Sequence, residues 1–287
     1  MLSKPDRPPG YGGRCGHLPW GDNVIDVPVD TVKDLQFDCI LFQDDPQYLE
    51  DQYLYLSEAQ RKLPRIYLEH DTPREHPTDM RHPVDDPQVL LVHVTHFNRL
   101  MWDNGNLTTR VIEHGVLVPD DVHYSGELER GIVVVNNIMQ RGRRLGGDIF
   151  EKVRRKVPLD LVGMGAREAG GLREVPHAQL PRFMAQYRFL FNPIRYTSLG
   201  LAVIEAMMAG VPVVGLATTE MATAIENDVS GYVDTNVGVL TERMRELLRS
   251  PALAKKLGRG ARRRALDRFN IDRFVSDWDA AFRFVTG

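Results

Sequence analysis

The amino-acid sequence predicts an α/β fold with parallel, doubly wound sheets. Short β-branched runs such as FDCILFQ, PRIYLEH and IVVVNN alternate with longer segments of helical periodicity. Alternation of this kind favours parallel strands joined by helices. The series of strands starts again after a polar stretch near residue 125, so we expect each half of the chain to form a sheet of its own.

Composition limits the classes of function. The 287 residues include 36 basic and 39 acidic side chains, and this near balance gives no general attraction to nucleic acid. The two cysteines, Cys15 and Cys39, lack metal-ligand spacing and indicate a reducing compartment. The start, MLSKPDRPPG, has no signal-peptide core, and no apolar run reaches the ~18 residues of a membrane span. We therefore predict a cytoplasmic protein.

Basic residues are concentrated towards the carboxyl end. Residues 241–287 contain 12 Lys or Arg and 6 Asp or Glu, and Arg262, Arg263 and Arg264 belong to this group. Such a run usually marks a solvated helix face. The other interpretation is peripheral contact with an anionic membrane or an acidic acceptor.

The first half opens with a loop rich in Gly and Pro, up to about residue 30. Gly12 and Gly13 either belong to a plain surface turn or let the backbone approach a ligand. After this loop, FDCILFQ predicts a strand, DPQYLEDQYLYLSEAQRKL a helix and PRIYLEH a second strand, with VLLVHVT and TRVIEHG as further strands.

Residues 69–96, which we call the histidine-rich segment, hold five histidines and several aspartates. Their spacing matches no standard zinc pattern, and four prolines make the segment irregular, so we expect hydrogen-bonded or substrate-facing histidines in place of a metal site. His70 directly follows a predicted strand, where α/β sheets place ligand groups. A buried, satisfied histidine is the alternative at each of these positions.

The second half begins after a predicted linker and repeats the strand and helix pattern. IVVVNN predicts a strand, IFEKVRRKV a helix and LDLVGMG a strand that ends in a glycine turn. Between the first two lies the arginine loop, defined here by Arg141, Arg143 and Arg144. Its charge and geometry suit a diphosphate, with a solvated basic loop as the alternative. Two Rossmann-like halves would face one another across a cleft.

Residues 192–216 predict a turn, a helix, a glycine stop and a buried strand. Thr197 or Ser198 is a good N-cap, so the helix is expected to begin at Ser198 and Leu199. Gly200 would let a ligand approach the backbone, and Glu205 would lie on the second turn. Because a helix start presents free amides, this segment predicts a phosphate site.

These residues resemble the retaining, family 4-like glycosyltransferases of GT-B fold (glycosyl transferases group 1). The pattern E-x-F-G-L-x-x-x-E-A-M-A-x-G-x-P-V-V of that group is similar to TSLGLAVIEAMMAGVPVV, and ENDVSGYV, LVGMG and RVIEHGV resemble further segments. The matching positions in the first motif are Gly200, Leu201, Glu205, Ala206, Met207, Gly210, Pro212 and Val214. With the tail, the likeness covers most of residues 110–287.

The resemblance implies a GT-B enzyme with a reduced N-terminal Rossmann-like domain (1–125) on the acceptor side, a nucleotide-sugar-binding domain (126–268) and a terminal helix (269–287) that crosses back. It implies a hexosyltransferase-like reaction with retention. A diphosphate held by the helix start and the arginine loop requires no metal, and we expect no cofactor, the nucleotide sugar being a substrate. The acceptor stays open.

Individual roles follow from the same resemblance. Glu205 would hold the ribose hydroxyls, since a carboxylate accepts from two hydroxyl donors. Ser198, Leu199 and Gly200 would bind the donor at the helix start. His70 would border the transferred sugar. Further donor-side positions implied are Gly163, Gly165, Gly12 and Gly13.

Two positions depart from the family pattern. The first glutamate of the pattern falls on Thr197, and a charge-assisted hydrogen bond of the kind lost there contributes about 1.5–3 kcal/mol. The family's arginine after the first strand of this domain falls on Asn137, and the arginine loop would supply the charge instead. These departures motivate an alternative, a sugar-nucleotide-binding protein or partner subunit without transfer activity. A third hypothesis is a metal-dependent hydrolase built on the histidine-rich segment.

Overall fold

A computed structural model describes residues 1–14 and 20–287, so Cys15 lies outside the described residues. The chain divides into two compact units: Met1–Glu113 with Ser276–Gly287, and His114–Val275. Each unit contains a sheet in which the paired strands run parallel. The predicted α/β class is therefore confirmed.

The first unit is built on a parallel sheet of four strands in the order β3-β4-β5-β6. Its strands are β3 (Ile40–Phe42), β4 (Arg65–Glu69), β5 (Val89–His93) and β6 (Thr109–Val111). They follow two short paired strands, β1 (Leu2–Ser3) and β2 (Val27–Pro28), so the first thirty residues are not only loop as predicted. The central strands carry the core, and Ile66 and Leu91 are fully buried because both faces of such strands are covered.

The prediction of one long helix between β3 and β4 is wrong, because the structure has shorter helical segments there. A π-helical turn (Gln47–Asp51) runs into α1 (Gln52–Tyr55), and a separate 3-10 turn covers Gln60–Lys62. Ser57 and Gln60 explain the break, because each side chain bonds the other's backbone amide, at 3.2 Å and 2.9 Å. This reciprocal capping box starts a new helical turn and ends the previous one. A 3-10 turn (Val32–Asp34) and α2 (His96–Met101) complete the helical segments of the unit before residue 113.

The histidine-rich segment is held by hydrogen bonds. His82 is buried; its Nδ1 accepts from the Val84 amide at 3.1 Å, so its Nε2 carries the proton and donates to Glu69 Oε2, also at 3.1 Å. The Nε2 of His93 lies 2.7 Å from Asn104 Oδ1. Within residues 1–14 and 20–287, no three His, Cys, Asp or Glu side chains are grouped as ligands for a metal ion.

The second unit is built on a five-stranded parallel sheet in the order β11-β10-β9-β7-β8. Its strands are β7 (Leu128–Val134), β8 (Leu159–Val162), β9 (Tyr187–Asn192), β10 (Val213–Leu216) and β11 (Gly231–Asp234). All six residues of β9 are buried, as expected for a central strand covered on both faces.

Helices cover both faces of this sheet. They are α3 (Gly147–Arg154), α4 (Leu180–Met184), α5 (Leu201–Met208), α6 (Met221–Ala224), α7 (Val237–Arg249) and α8 (Pro251–Arg268). One core cluster joins β9 to α4 and α5, and a second joins the sheet to α3 and α7. The glycine-rich loops at the carboxyl ends of the strands are thereby placed on a rigid base.

The carboxyl-terminal segment ends in α9 (Ile271–Thr286), whose last part belongs to the first unit. There Arg110 donates to the Ala280 carbonyl at 3.0 Å and stacks over Phe284. The Arg262 to Arg264 run is only partly a solvated face: Arg262 donates to the Met208 carbonyl, and Arg264 to the Ala224 carbonyl. In the described part of the chain, every helix lacks the combination of length and apolar composition that a bilayer crossing requires.

Burial of His93 predicts an acid-sensitive first unit. Burial lowers the pKa of this histidine to about 4 from the 6.5 of the unfolded chain. Because the folded pKa is the lower one, the unfolded state binds more protons below pH 6.5. The stabilising contribution is complete above pH 6.5 and is lost between pH 6.5 and 4, by on the order of 3 kcal/mol.

Tryptophan fluorescence measures this effect in the first unit, because Trp20, Trp102 and Trp278 all belong to it. Urea unfolding followed at pH 7 and pH 4.5 should show the loss in the wild-type protein. The His93→Gln variant should lose less stability over the same interval, and equal losses in both proteins would contradict the assignment.

Candidate functional site

In the second unit, the loops that follow β7 and β9 are fastened to each other. Arg195 donates from both terminal nitrogens of its guanidinium to the two carboxylate oxygens of Asp148, at 2.6 Å and 2.7 Å. The amides of Arg195 and Tyr196 donate to the Arg144 carbonyl at 2.9 Å and 3.3 Å. The Arg195 hydrogen bonds lower the pKa of Asp148 to about 2, so the carboxylate stays charged at neutral pH.

Gly146 makes this close approach possible. Its φ is +78°, and a Cβ there would lie 2.0 Å from the Pro193 carbonyl oxygen. An L-residue meets both a strained backbone and a direct clash with the neighbouring loop. Gly142, in the same loop, also has a positive φ, but a Cβ there meets nothing within 4 Å.

The three arginines of the arginine loop differ in their exposure and in their contacts. Arg143 is 77% exposed and donates to Asp148 Oδ2 at 2.8 Å, so part of its charge is neutralised. Arg141 is exposed, and Arg144 is half-buried with contacts of its own. Sequence reasoning missed Arg195 and its partner Asp148. The only available signal was the position of Arg195 just beyond a strand end.

The start of α5 differs from the prediction. The helix begins at Leu201 and its N-cap is Gly200, so neither Thr197 nor Ser198 caps it. Gly200 has φ +91°, a conformation that excludes most side chains, and a Cβ there would point into open space. Ser198 and Leu199 are buried beneath the turn, and Thr197 is half-buried. A glycine cannot cap with a side chain, so the first amides of α5 have no side-chain cap from Gly200, and the Val203 amide donates to the Gly200 carbonyl at 3.2 Å.

Glu205 lies on the second turn of α5, as predicted, and is 4% exposed. Its Oε1 accepts a hydrogen bond from His177 Nε2 at 2.8 Å. The His177 side chain is 64% exposed, whereas that of Glu205 is only 6% exposed. Sequence reasoning missed His177, which stands 28 residues before its partner and carries no motif of its own.

The glycine turn after β8 is packed against the loop after β7. A Cβ on Gly163 would lie 2.7 Å from Asn136 Oδ1, and one on Gly165 2.8 Å from Asn137 Oδ1. The backbone amide of Asn137 donates to the Met164 carbonyl at 2.7 Å. Asn137 has φ +53°, a conformation that asparagine tolerates better than most residues. These contacts explain both glycines through chain packing and assign Asn137 a turn conformation.

Two cavities lie near the strand ends of this unit. One, of about 40 Å³, is lined mainly by aliphatic residues around Leu199, Gly200 and Val203, and it has room for little more than water. The other, of about 360 Å³, lies beside the Asp148 and Arg195 pair. Its wall also includes Ile149, Lys152, Leu216, Thr218, Thr235 and Val237.

The remaining predicted residues belong to the first unit. His70 follows β4, and its Nε2 lies 3.1 Å from Gln43 Oε1; burial lowers the pKa of the ring below its usual 6.5. Gly12 forms an isolated bridge with Ser3. Gly13 has φ +59°, and a Cβ there would lie 2.3 Å from Asp26 Oδ1. Gly13 therefore meets a packing requirement of the amino-terminal turn.

Substitution of Gly146 tests whether the loop after β7 packs closely on Pro193. Gly146→Ala should lower the unfolding free energy by about 2–4 kcal/mol, because strain and a carbonyl clash add together. Gly142→Ala is the matched control and should cost only about 1–2 kcal/mol, the strain alone. Circular dichroism melts of the two variants compare them directly. Equal melting temperatures would contradict the close packing of Gly146 on Pro193.

Part of the second unit is similar to a known protein family. Residues 171–264, which include His177, Glu205 and α5, match the family model described as Glycosyl transferases group 1. A search of curated proteins found no match to this sequence.

Solved structures similar to the chain include TarM of S. aureus in complex with fondaparinux, α-GlcNAc-glycerol and UDP (16% identity, TM-score 0.68, covering 88% of this chain and 58% of that one). Sucrose-phosphate synthase from Thermosynechococcus elongatus is also similar (17% identity, TM-score 0.66, covering 86% and 73%). So is HepE of Anabaena in complex with UDP (16% identity, TM-score 0.64, covering 89% and 80%). The chain thus spans less than two thirds of the length of TarM.

At these identities the likeness concerns the fold. It confirms the predicted GT-B fold class, and residues 171–264 match the Glycosyl transferases group 1 model.

Proposed function

We propose that the chain is a glycosyltransferase that takes a sugar from a nucleotide-diphosphate donor and transfers it, with retention, to an acceptor. One observation carries the proposal: Glu205, a buried carboxylate, lies one turn beyond the open helix start at Gly200. A carboxylate accepts from two neighbouring hydroxyls, and a helix start binds phosphate. In a sugar nucleotide the ribose is bonded to the diphosphate, so the ribose would bind at Glu205 and the diphosphate at the start of α5.

The diphosphate in this proposal lies over Gly200, after the turn of Ser198 and Leu199, where the amides and dipole of α5 contribute roughly 0.3–2 kcal/mol. Arg141 and its loop neighbours meet the remaining charge. As the bond to the sugar breaks, charge develops on the leaving diphosphate, and these contacts strengthen. Arginines and amides then fill the role of a metal ion, so we propose transfer without a metal.

Further roles complete the proposal. Thr197 occupies the turn before α5, where it is half-buried, and would face the donor sugar. Gly163, Gly165 and Asn137 would allow the nucleotide to approach the backbone after β7 and β8. The first unit would contribute to acceptor binding through His70, whose pKa is lowered by burial. Gly12 and Gly13 would form the nearby turn.

A second function is favoured by one specific residue. Thr197 stands where a carboxylate would otherwise contact the sugar ring, and a hydroxyl cannot replace its charge. A protein that binds sugar nucleotides without transfer, or a partner subunit of an active enzyme, would fit this substitution. Turnover separates the two functions, since only the enzyme releases nucleotide from its donor.

Substitution of Glu205 tests the ribose contact. Removal of a charge-assisted acceptor costs about 1.5–3 kcal/mol, so Glu205→Ala should weaken nucleotide-diphosphate binding by about 10- to 100-fold. Calorimetry with UDP, GDP and ADP measures this effect. Glu242→Ala, on an exposed part of α7, is the control and should bind as the wild type does. Unchanged affinity in Glu205→Ala would exclude the ribose contact.

Donor turnover tests the enzyme itself. Purified protein incubated with UDP-, GDP- or ADP-sugars should release the matching diphosphate, slowly by hydrolysis in the absence of acceptor. Addition of EDTA should leave the rate unchanged. Tight binding of a donor without any release would favour the inactive binder, and a rate abolished by EDTA would contradict transfer without a metal.

A further inference from the structure

His177 and Glu205 are fixed relative to each other by the core of the second unit. His177 begins a 3-10 turn (His177–Gln179) that continues into α4, while Glu205 lies on α5. Leu180 and Met184 of α4 pack in the same buried cluster as Ile204 of α5. The 2.8 Å hydrogen bond thus joins two elements whose positions are already set by packing.

The hydrogen bond uses only part of the capacity of the carboxylate. An ionised glutamate has about four lone-pair sites, and His177 occupies one of them at Oε1. No other hydrogen bond to the Glu205 side chain is present among the described residues. Acceptor sites on both oxygens are therefore left for a pair of neighbouring hydroxyls, provided that the carboxylate keeps its orientation.

Without His177, the orientation of this carboxylate would be poorly defined. Glu205 is 4% exposed, and a buried carboxylate that loses its donor turns towards water or towards another donor. His177 itself is 64% exposed on its side chain, so it contributes little to the core. Its hydrogen bond is made to Glu205, the residue proposed to bind the ribose hydroxyls.

We propose that His177 is a positioning residue: its Nε2 proton orients the Glu205 carboxylate to accept from the 2′- and 3′-hydroxyls of a ribonucleotide. This inference rests on the proposed function and makes it more specific, because it assigns the selection of a ribose over a deoxyribose to a pair of residues. His177 acts through Glu205 and takes no part in the breaking of the sugar bond.

The experiment compares UDP, GDP and ADP with their 2′-deoxy forms by calorimetry. Loss of one hydroxyl to a charged acceptor should weaken binding to the wild type by about tenfold or more. In His177→Ala this preference for ribose should fall to about threefold or less. His177→Gln should restore it, because the glutamine amide places a donor near the position of Nε2.

Two controls separate a positioning role from a general effect on folding. His123→Ala removes an exposed histidine elsewhere in the unit and should keep the wild-type preference. In a Glu205→Ala background, His177→Ala should cause no further loss of affinity, since the two residues act as one.

An undiminished ribose preference in His177→Ala, with binding intact, would overturn the inference and leave the proposed function standing. Failure of His177→Gln to restore the preference would also count against it. If the wild type binds none of the three diphosphates, the proposed function fails, and this inference fails with it.

Discussion

The candidate site depends on the way two loops of the second unit are fastened at the carboxyl ends of β7 and β9. Gly146 lets the first loop lie against Pro193, and Arg195 then clamps Asp148 with two charge-assisted hydrogen bonds. Both loops are thereby held on a sheet whose central strand is wholly buried. The open start of α5 follows the second of these loops, so its position is fixed by packing and not by a side-chain cap.

Much of the fold was predictable, because burial leaves a pattern in the sequence. Strands β4, β5 and β9 are mostly apolar segments of strand length, and this pattern favours buried strands. The position of Glu205 on the second turn of α5 follows from the spacing between Gly200 and Gly210. The break near Ser57 was not predicted, although its Ser and Gln at capping-box spacing are visible in the sequence.

The partners of the site residues were not predictable. His177 stands 28 residues from Glu205, and Arg195 stands 47 from Asp148, so only the folded chain brings each pair together. Local rules also failed at Gly200: a hydroxyl residue usually makes the better cap, but here the tertiary path of the loop requires φ +91°, which favours glycine. The differences from the prediction thus lie in contacts between residues far apart in the sequence and in the N-cap of α5.

A crystal structure of the chain with the nucleotide diphosphate that it binds most tightly would test the ribose contact at Glu205. We expect a ribose whose two hydroxyls lie within hydrogen-bond distance of Glu205, with the diphosphate over the start of α5 at Gly200. A nucleotide bound elsewhere, for example in the cavity beside Lys152, with Glu205 bound only to His177, would contradict it.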